Sequence, residues 1–268
     1  PEQMGSGCGF IDYNDDGWID ILLVGGGGWN GHTKRYVKAL WLYKNNRDGT
    51  FSEVTEETGL GFINTYGLGI VAADYDNDGD QDIFLTSLGR NILLSNHDGI
   101  YTDVTQQSGL GNRIEWSSSA LFFDADKDGW LDLYVGNYAI WSPASDLWCS
   151  LDSKTKVYCP PEMYTGLPSR FYHNNGDGTF SDHTQIAGFL PAPGKSLGVV
   201  QLDYNDDGWP DLAVANDGEI YYIKTMVTAH LLKKVPNWVW LTEKMAKPGL
   251  VWVLMPVLST AADTHLFS

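Results

Sequence analysis

The chain has 268 residues, enough for one or two domains with a sizeable core, and its high content of aromatic residues and glycine is typical of a folded, turn-rich protein. It has 34 acidic against 17 basic residues, and the resulting formal charge of −17 argues against nucleic acid as the main partner and against an anionic membrane surface. Three cysteines are too few for a disulfide-built miniprotein, and the longest apolar run is too short for a membrane span.

An acidic nonapeptide of the form D-x-[DN]-x-D-G-x-x-D is repeated along the chain, and a second segment follows its first three copies. The acidic copies are DYNDDGWID from Asp12, DYDNDGDQD from Asp74, DADKDGWLD from Asp124 and DYNDDGWPD from Asp203. The second segment is NNRDGTFSEVTEETGLG from Asn45, SNHDGIYTDVTQQSGLG from Ser95 and NNGDGTFSDHTQIAGF from Asn174. The acidic copies start 62, 50 and 79 residues apart, which indicates a unit of about 50 residues with loop insertions.

Short apolar runs flank the acidic segments, and runs of this length bounded by Gly and Asp favour strands over helices. The runs after the acidic segments are 21–24, 83–85, 133–135 and 212–215, and those before them are 70–73, 120–123 and 197–202. Asp-Gly pairs at 48–49, 98–99 and 177–178 predict a hairpin in each of three units. Each unit therefore holds about four short antiparallel strands, as a propeller blade does. We predict an all-β fold: an arc of four-stranded blades from a β-propeller.

The acidic segments have the spacing with which a chain wraps a hard cation. Side-chain oxygens at positions 1, 3 and 5 point inward, Gly at position 6 permits the sharp turn, position 7 offers its backbone carbonyl, and position 9 adds a carboxylate. The predicted metal ligands are Asp12, Asn14, Asp16, Trp18 and Asp20 in the first loop; Asp74, Asp76, Asp78, Asp80 and Asp82 in the second; Asp124, Asp126, Asp128, Trp130 and Asp132 in the third; and Asp203, Asn205, Asp207, Trp209 and Asp211 in the fourth. We predict up to four Ca²⁺ ions, one in each loop.

The same segments could instead be turn formers without a metal, since Asp, Asn and Gly are common in turns. Four copies in one phase, each with Asp at position 9, favour calcium, and flexible oxygen-rich loops suit Mg²⁺ less well. An EF-hand would need Glu at position 12, where the chain has Leu23, Leu85, Val135 and Val214. Without cations, the carboxylates of each loop would repel one another.

These motifs resemble those of the FG-GAP repeat β-propellers of the integrin α type, also called VCBS repeats. The acidic nonapeptides, the NN-x-DG-T-F-x-[DE]-V-T segments and the Gly-Leu-Gly ends at 59–61 and 109–111 carry the resemblance, which extends over residues 5–217. It is closest to secreted bacterial proteins of the ASPIC/UnbV and cartilage-acidic-protein type. The resemblance implies a seven-bladed propeller with calcium between the strands of a blade. Four acidic loops do not make seven blades, so we expect the chain to be a fragment whose missing blades are its partners.

An insertion at residues 138–167 explains the longest interval between acidic segments. It contains Cys149 and Cys159, which we predict to form a disulfide that closes a surface loop and contributes about 2–3 kcal/mol in the chain-entropy model. Zinc is less favoured, because no second Cys pair or His cluster completes a site. Cys8 is then unpaired, and we expect it to be buried or to have its partner upstream of the fragment.

Residues 218–268 do not continue the pattern, so residues 1–217 form the predicted propeller region and the rest an aberrant tail. The tail lacks an acidic loop and a hairpin segment. Its codons, read in a shifted frame from Gly218, permit R-N-I-L-Y-K-N-N-G-D-G-T-F, which the family would have there, and the Met226-Val227 junction forces the Gly that this motif needs. We hypothesise a frameshift at this point, and we expect residues 224–268 to be removed first by a protease.

The sequence predicts a binding protein and not an enzyme. It has no G-x-S-x-G or H-E-x-x-H motif and no evident set of nucleophile, base and orienting residue, and we expect His173 and His183, which flank a hairpin turn, to be exposed to solvent. We expect a secreted calcium-binding propeller, extracellular, at the cell surface or periplasmic, that acts as a binding or adhesion module for a protein or glycan. The alternatives are a non-catalytic fragment of a propeller enzyme and a structural spacer.

Overall fold

The described residues contain four successive groups of four antiparallel main strands, with the strands of each group paired in sequence order. A short pairing of Leu88 with Trp116 and Gly89 with Glu115 joins the second group to the third. A computed structural model describes residues 6–30, 33–35, 37–187, 194–204, 206–217, 219–224 and 239–241. Each group is a blade of a partial β-propeller, so the prediction of an all-β arc of four-stranded blades is confirmed. The blades are numbered one to four along the chain.

Blade one has a long connection between its second and third main strands. Its main strands are β1 (Cys8–Ile11), β2 (Asp20–Val24), β6 (Leu40–Asn45) and β7 (Phe51–Glu53), and the connection carries β3 (Gly28–Asn30), β4 (Thr33–Arg35) and β5 (Val37–Lys38). β3 pairs with β4, and β5 pairs with β8 (Asn64–Thr65), which follows a 3-10 helix at Leu60–Phe62.

Blades two, three and four repeat the same strand order. Blade two is β9 (Gly67–Ala73), β10 (Asp82–Gly89), β11 (Ile92–His97) and β12 (Ile100–Asp103); blade three is β13 (Glu115–Phe123), β14 (Asp132–Asn137), β15 (Arg170–Asn174) and β16 (Phe180–Asp182); blade four is β17 (Ser196–Leu202), β18 (Asp211–Asn216), β19 (Glu219–Lys224) and β20 (Val239–Leu241). In every blade the acidic loop joins the first strand to the second. The predicted metal loops therefore lie at the same end of each blade.

The Asp-Gly pairs lie in hairpins that join the third and fourth strands of the first three blades, as predicted. In blade two, Asp98 and Gly99 both have positive φ, 52° and 84°, which is the geometry of a two-residue type I′ turn. In blades one and three the turn is longer, and within the Asp-Gly pair only Gly49 or Gly178 has a positive φ.

The hydrophobic core lies between successive blades. Alternate side chains of a strand point to opposite faces, so Ile83 and Leu85 of β10 pack toward blade one while Phe84 packs toward blade three. The first strands of the blades contact one another in chain order, β1 with β9, β9 with β13 and β13 with β17. On the face of blade one that points away from blade two, Phe10 is 71% exposed and Leu23 is 40% exposed.

The insertion between β14 and β15 is a disulfide-closed loop anchored on blade three. Cys149 and Cys159 are joined by a disulfide, with a Cα–Cα distance of 5.2 Å. The rings of Tyr138 and Trp141 pack on Trp116 of β13, with centroids 4.9 and 5.7 Å from its ring. The insertion carries two 3-10 turns, Pro143–Ser145 and Pro161–Met163.

Two other expectations concern single features of the chain. Cys8 is a free and exposed thiol on the first strand of blade one, so the alternative in which it is buried is wrong, and the alternative of an upstream partner stays a prediction. Within the described residues, no helix reaches the length and apolarity that a membrane crossing requires.

Part of the predicted aberrant tail forms strands of blade four. β19 pairs with β18, and β20 pairs with β19. Gly218 and residues 225–238 and 242–268 lie outside the described residues. The frameshift hypothesis therefore stays a prediction.

Candidate metal centres

The four acidic loops share one backbone conformation. Position 4 has a φ between 50° and 61° in every loop, and the Gly at position 6 has a φ between 80° and 99°. Asp and Asn tolerate this left-handed region better than most residues, and Gly enters it without strain. The residues at position 4 are Asp15, Asn77, Lys127 and Asp206, all exposed.

The carboxylates at positions 1 and 5 bind backbone amides of their own loop. Asp12 accepts hydrogen bonds from the amides of Asp16 at 3.0 Å and Gly17 at 2.8 Å, and Asp16 accepts one from the amide of Trp18 at 3.1 Å. The other three loops repeat these contacts. An amide occupies only part of the acceptor capacity of a carboxylate, so these groups are oriented and can still ligate a cation.

The aspartates at position 9 are buried at the base of the loops. Asp82 accepts hydrogen bonds from the amides of Tyr75 at 3.1 Å and Asn96 at 2.8 Å. Asp20 and Asp132 accept the same pair of amides in their own blades, and the fourth loop keeps the contact to the position-2 amide. Position 9 therefore ties each of the first three loops to the third strand of its blade.

The side-chain oxygen at position 3 lacks a partner in the first three loops. Asn14 Oδ1, Asp76 Oδ1 and Asp126 Oδ2 are buried, and none of them has a hydrogen-bond donor among the described residues. A buried acceptor without a donor destabilises a fold by about 1–3 kcal/mol, and a cation removes that cost. In the fourth loop, position 3 is Asn205, which lies outside the described residues. The three unpartnered oxygens fit the cation that the spacing predicts.

The second and third loops concentrate negative charge where water is scarce. Asp74, Asp76 and Asp82 offer oxygens within 4.8 Å of one another. Burial, with a smaller contribution from neighbouring carboxylates, raises the pKa of Asp82 to about 8 and also raises the pKa of Asp76. The same causes raise the pKa of Asp126 to about 6. Ionisation of these groups destabilises the folded chain, and a bound cation would reverse this effect.

Position 7 differs among the loops. The ring of Trp130 lies against the hairpin of its own blade, whereas the ring of Trp209 in blade four lies 4.3 Å from the ammonium of Lys127 in blade three. In the second loop the residue is Asp80, whose carboxylate accepts a hydrogen bond from the amide of Asp98 at 3.0 Å. The predicted role of the position-7 carbonyls as ligands stays a prediction.

The sequence predicted that His173 is exposed to solvent, whereas the structure shows it partly buried. Its side chain is 21% exposed, and Nδ1 lies 3.0 Å from Asp132 Oδ1 and 3.9 Å from Asp126 Oδ2. Its ring stacks on His183 at a centroid distance of 5.0 Å. The hydrogen bond with Asp132 raises the pKa of His173. An imidazole from β15 therefore lies beside the carboxylates of the third loop.

The second repeated segment links the first and second acidic loops to the following blade. Asn96 of blade two donates from Nδ2 to the carbonyl of Gln81 in its own loop at 3.1 Å and to the carbonyl of Tyr13 in the loop of blade one at 2.9 Å. Asn174 of blade three donates to its own loop at 3.0 Å and to the carbonyl of Tyr75 in blade two at 2.8 Å. The two alternating motifs therefore act together at the boundaries between blades one and two and between blades two and three.

A known repeat matches the chain over three stretches. The FG-GAP-like repeat matches residues 12–85, 74–135 and 165–214, together more than half of the chain. The chain belongs to the FG-GAP-like repeat family. The break between the second and third matches contains the disulfide-closed insertion.

No curated protein matches the chain. Among solved structures, one that is similar is an Agrocybe aegerita lectin, described by its specific recognition of non-reducing terminal N-acetylglucosamine. The sequences are 16% identical, the TM-score is 0.43, and the alignment covers 88% of this chain and 51% of the lectin. The chain thus spans about half the length of that lectin.

The FG-GAP repeats of this chain differ in how their acidic loops are neutralised. In the first loop, position 3 is the neutral Asn14, and Asp16 lies 3.1 Å from the guanidinium of Arg47 and 3.7 Å from the ammonium of Lys44. The second loop has Asp at all five odd positions, and within the described residues no Lys or Arg pairs with them. Two acidic loops with the same residue spacing therefore differ in how much of their negative charge is balanced by nearby Lys and Arg side chains.

Proposed function

We propose that this FG-GAP repeat chain is part of a secreted β-propeller that binds calcium in its acidic loops and acts as a binding module for an extracellular protein or glycan. The calcium part is supported above all by the unpartnered oxygens at position 3. The other predicted ligands are the side chains at positions 1, 5 and 9 and the carbonyl at position 7. Such oxygen-only loops suit Ca²⁺, which takes six to eight oxygens in flexible geometry.

Calcium would supply the positive charge that keeps these carboxylates ionised in the folded state. The loop backbone matters because its position-2 carbonyl accepts a hydrogen bond from the next blade, as Tyr13 does from Asn96. A cation that fixes the loop would therefore also strengthen the packing between blades.

The proposed ligand surface is at the opposite end of the blades. The acidic loops join first strands to second strands, whereas the insertion joins the second and third strands of blade three, so the two features lie at opposite ends of that sheet. The insertion exposes Trp148 and Tyr158, at 65% and 58%. Trp and Tyr are enriched in binding interfaces, which supports a ligand there.

Secretion is supported by two chemical arguments. Disulfides such as Cys149–Cys159 persist in oxidising compartments, which include the extracellular space, the cell surface and the periplasm. Extracellular modules bind calcium with Kd values of about 10⁻⁴–10⁻³ M, in reach of extracellular calcium.

We place the protein near the ASPIC/UnbV and cartilage-acidic-protein type on its motifs, and we propose that missing blades of a seven-bladed ring cover the exposed Phe10 and Leu23 of blade one.

Two alternative functions, a structural spacer and a fragment of a propeller enzyme, would give different experimental results from a binding module. A structural spacer would bind calcium and give no signal on a glycan or extracellular-protein array. A fragment of a propeller enzyme would regain turnover when combined with its missing blades. A binding module gives a saturable array signal from the chain itself, which is lost when Trp148→Ala and Tyr158→Ala are combined.

The calcium proposal is tested by thermal unfolding in millimolar Ca²⁺ and in chelator. We expect the melting temperature to be lower in chelator, and an unchanged melting curve would contradict the proposal. Asp124→Ala and Asp128→Ala should each lower the calcium stoichiometry by one and reduce the calcium-dependent shift in melting temperature.

Asp206→Asn is the matched control, because position 4 is exposed and Asn tolerates its φ of 55°. We expect this variant to keep its full calcium stoichiometry. If it loses as much calcium as Asp124→Ala, the assignment of ligand positions is wrong.

A further inference from the structure

The third acidic loop differs from the other loops in the residue that faces it from the third strand. The residue that precedes the loop-contacting Asn of the second motif (Asn45, Asn96 or Asn174) is Lys44 in blade one, Ser95 in blade two and His173 in blade three. Among these three, only His173 has a side chain that is a good ligand for a transition metal.

His173 lies beside a carboxylate that has a free coordination position. The Asp126 side chain is 5% exposed, and its buried Oδ2 has no hydrogen-bond partner and lies 3.9 Å from His173 Nδ1. Asp126, Asp128 and His173 offer ligand atoms that all lie within 4.8 Å of one another. Bonds of about 2.0–2.2 Å from one zinc ion to nitrogen and to oxygen would span the gap between Asp126 and His173.

The imidazole is also held in place. Its ring is stacked on His183 at 8° between the ring planes, and Nδ1 lies 3.0 Å from Asp132 Oδ1. A zinc ion that binds Nδ1 would take the place of the proton shared with Asp132, and that proton is released to solvent. Asp132 is itself fixed by the amides of Ala125 at 3.2 Å and Asn174 at 2.9 Å. A ligand that is already ordered loses little conformational entropy when a cation binds.

We propose that the third loop is a mixed nitrogen and oxygen centre that binds a transition-metal dication of the Zn²⁺ class through His173, Asp126 and Asp128, while the second loop, which has Asp at all five odd positions and only the exposed His97 beside it, remains selective for Ca²⁺. The proposal rests on the proposed function in that it takes the acidic loops as cation sites, and it states that Zn²⁺, when present, displaces Ca²⁺ from the third loop. Imidazole suits Zn²⁺ and its neighbours, whereas Ca²⁺ strongly prefers oxygen.

The test is calorimetric titration of Zn²⁺ into the chain in millimolar Ca²⁺. We expect a Zn²⁺ site whose affinity falls at least tenfold in His173→Ser, the residue type of blade two. His97→Ser is the control for the other histidine that lies beside acidic-loop carboxylates, Asp78 and Asp80 of the second loop; its side chain is 84% exposed, and this variant should keep the zinc site of the third loop. Equal zinc affinity in the wild type and in His173→Ser would overturn the proposal.

Ser95→His is a gain-of-function variant that does not depend on the folding of His173→Ser. It would place an imidazole beside the unpartnered Asp76 Oδ1, and we expect one additional Zn²⁺ equivalent. No additional zinc would count against the proposal. The calcium-dependent melting shift is measured in the same samples: its absence would contradict the calcium function, whereas a zinc affinity that does not depend on His173 contradicts only this inference.

Discussion

The first and second acidic loops have the same spacing and the same backbone turn but opposite means of balancing charge. The first loop has a neutral side chain at position 3 and brings Arg47 and Lys44 to Asp16. The second loop accumulates five aspartates, and burial raises the pKa of Asp82 to about 8. The first loop therefore carries part of its counter-charge in its own side chains, and the second depends more on an external cation.

The asparagines of the second motif in these two blades also differ in their contacts. The Asn of blade two contacts the loop of blade one as well as its own, whereas within the described residues Asn45 of blade one donates from its side chain only to the carbonyl of Ile19 in its own loop. The spacing of the acidic motif therefore specifies the shape of a loop, and the surrounding residues set how its negative charge is balanced.

The largest effect is expected from loss of the carboxylate at position 9. Asp82→Ala leaves two buried amides without acceptors and removes a predicted ligand, so we expect the free energy of unfolding in calcium to fall by about 2–5 kcal/mol. Asp20→Ala is the matched change in the first loop. In chelator the two variants should lose similar stability, and in calcium Asp82→Ala should lose more; equal losses of the calcium-dependent part would show that local charge does not set calcium dependence.

A smaller effect is expected at the boundary between blades. Asn96→Ala removes the hydrogen bonds to Tyr13 and Gln81 from a fully buried position, and we expect urea unfolding to show a loss of about 1–3 kcal/mol. Asn45→Ala should lose less, because Asn45 is only half-buried and contacts its own blade alone. Equal losses would mean that the contact between blades adds nothing.

The smallest change in stability, with a clear change in binding, is expected at Arg47. The side chain is 52% exposed, so Arg47→Gln should alter the free energy of unfolding by about 0.5 kcal/mol or less. Its loss frees Asp16 for calcium, and we expect the calcium affinity of the first loop to rise several-fold in a titration. Arg90→Gln breaks the ion pair with Asp103, away from the acidic loops, and should leave calcium affinity unchanged. A rise of the same size in both variants would refute the competition between Arg47 and calcium.

The repeat pattern was enough to predict strands, hairpins and the arc of blades, because hydrophobic periodicity and Asp-Gly turns are local properties of a sequence. The contacts that distinguish the loops are not local. Asn96 reaches a carbonyl 83 residues away, and Arg47 reaches a carboxylate 31 positions earlier in sequence. Such pairs depend on how blades stack and how strands align.

His173 shows how one of these contacts could have been found. β15 pairs antiparallel with β14, with Tyr172 opposite Leu133, so the next residue of β15 must lie beside Asp132. The residue before the Asn of the second motif is therefore always close to position 9 of the acidic loop. Once the strands had been paired, the sequence would have placed an imidazole there instead of in solvent.

The direction of the Asn contacts has a consequence for synthesis. A chain leaves the ribosome N-terminus first. The Tyr13 carbonyl is therefore made 83 residues before its donor Asn96, and the Tyr75 carbonyl is made 99 residues before its donor Asn174. The first and second acidic loops thus gain their last hydrogen bond only after the following blade has emerged. During synthesis this hydrogen bond would form one blade later than the loop that accepts it. A nascent chain that stalls would therefore end in an acidic loop that has not yet accepted the hydrogen bond from the next blade.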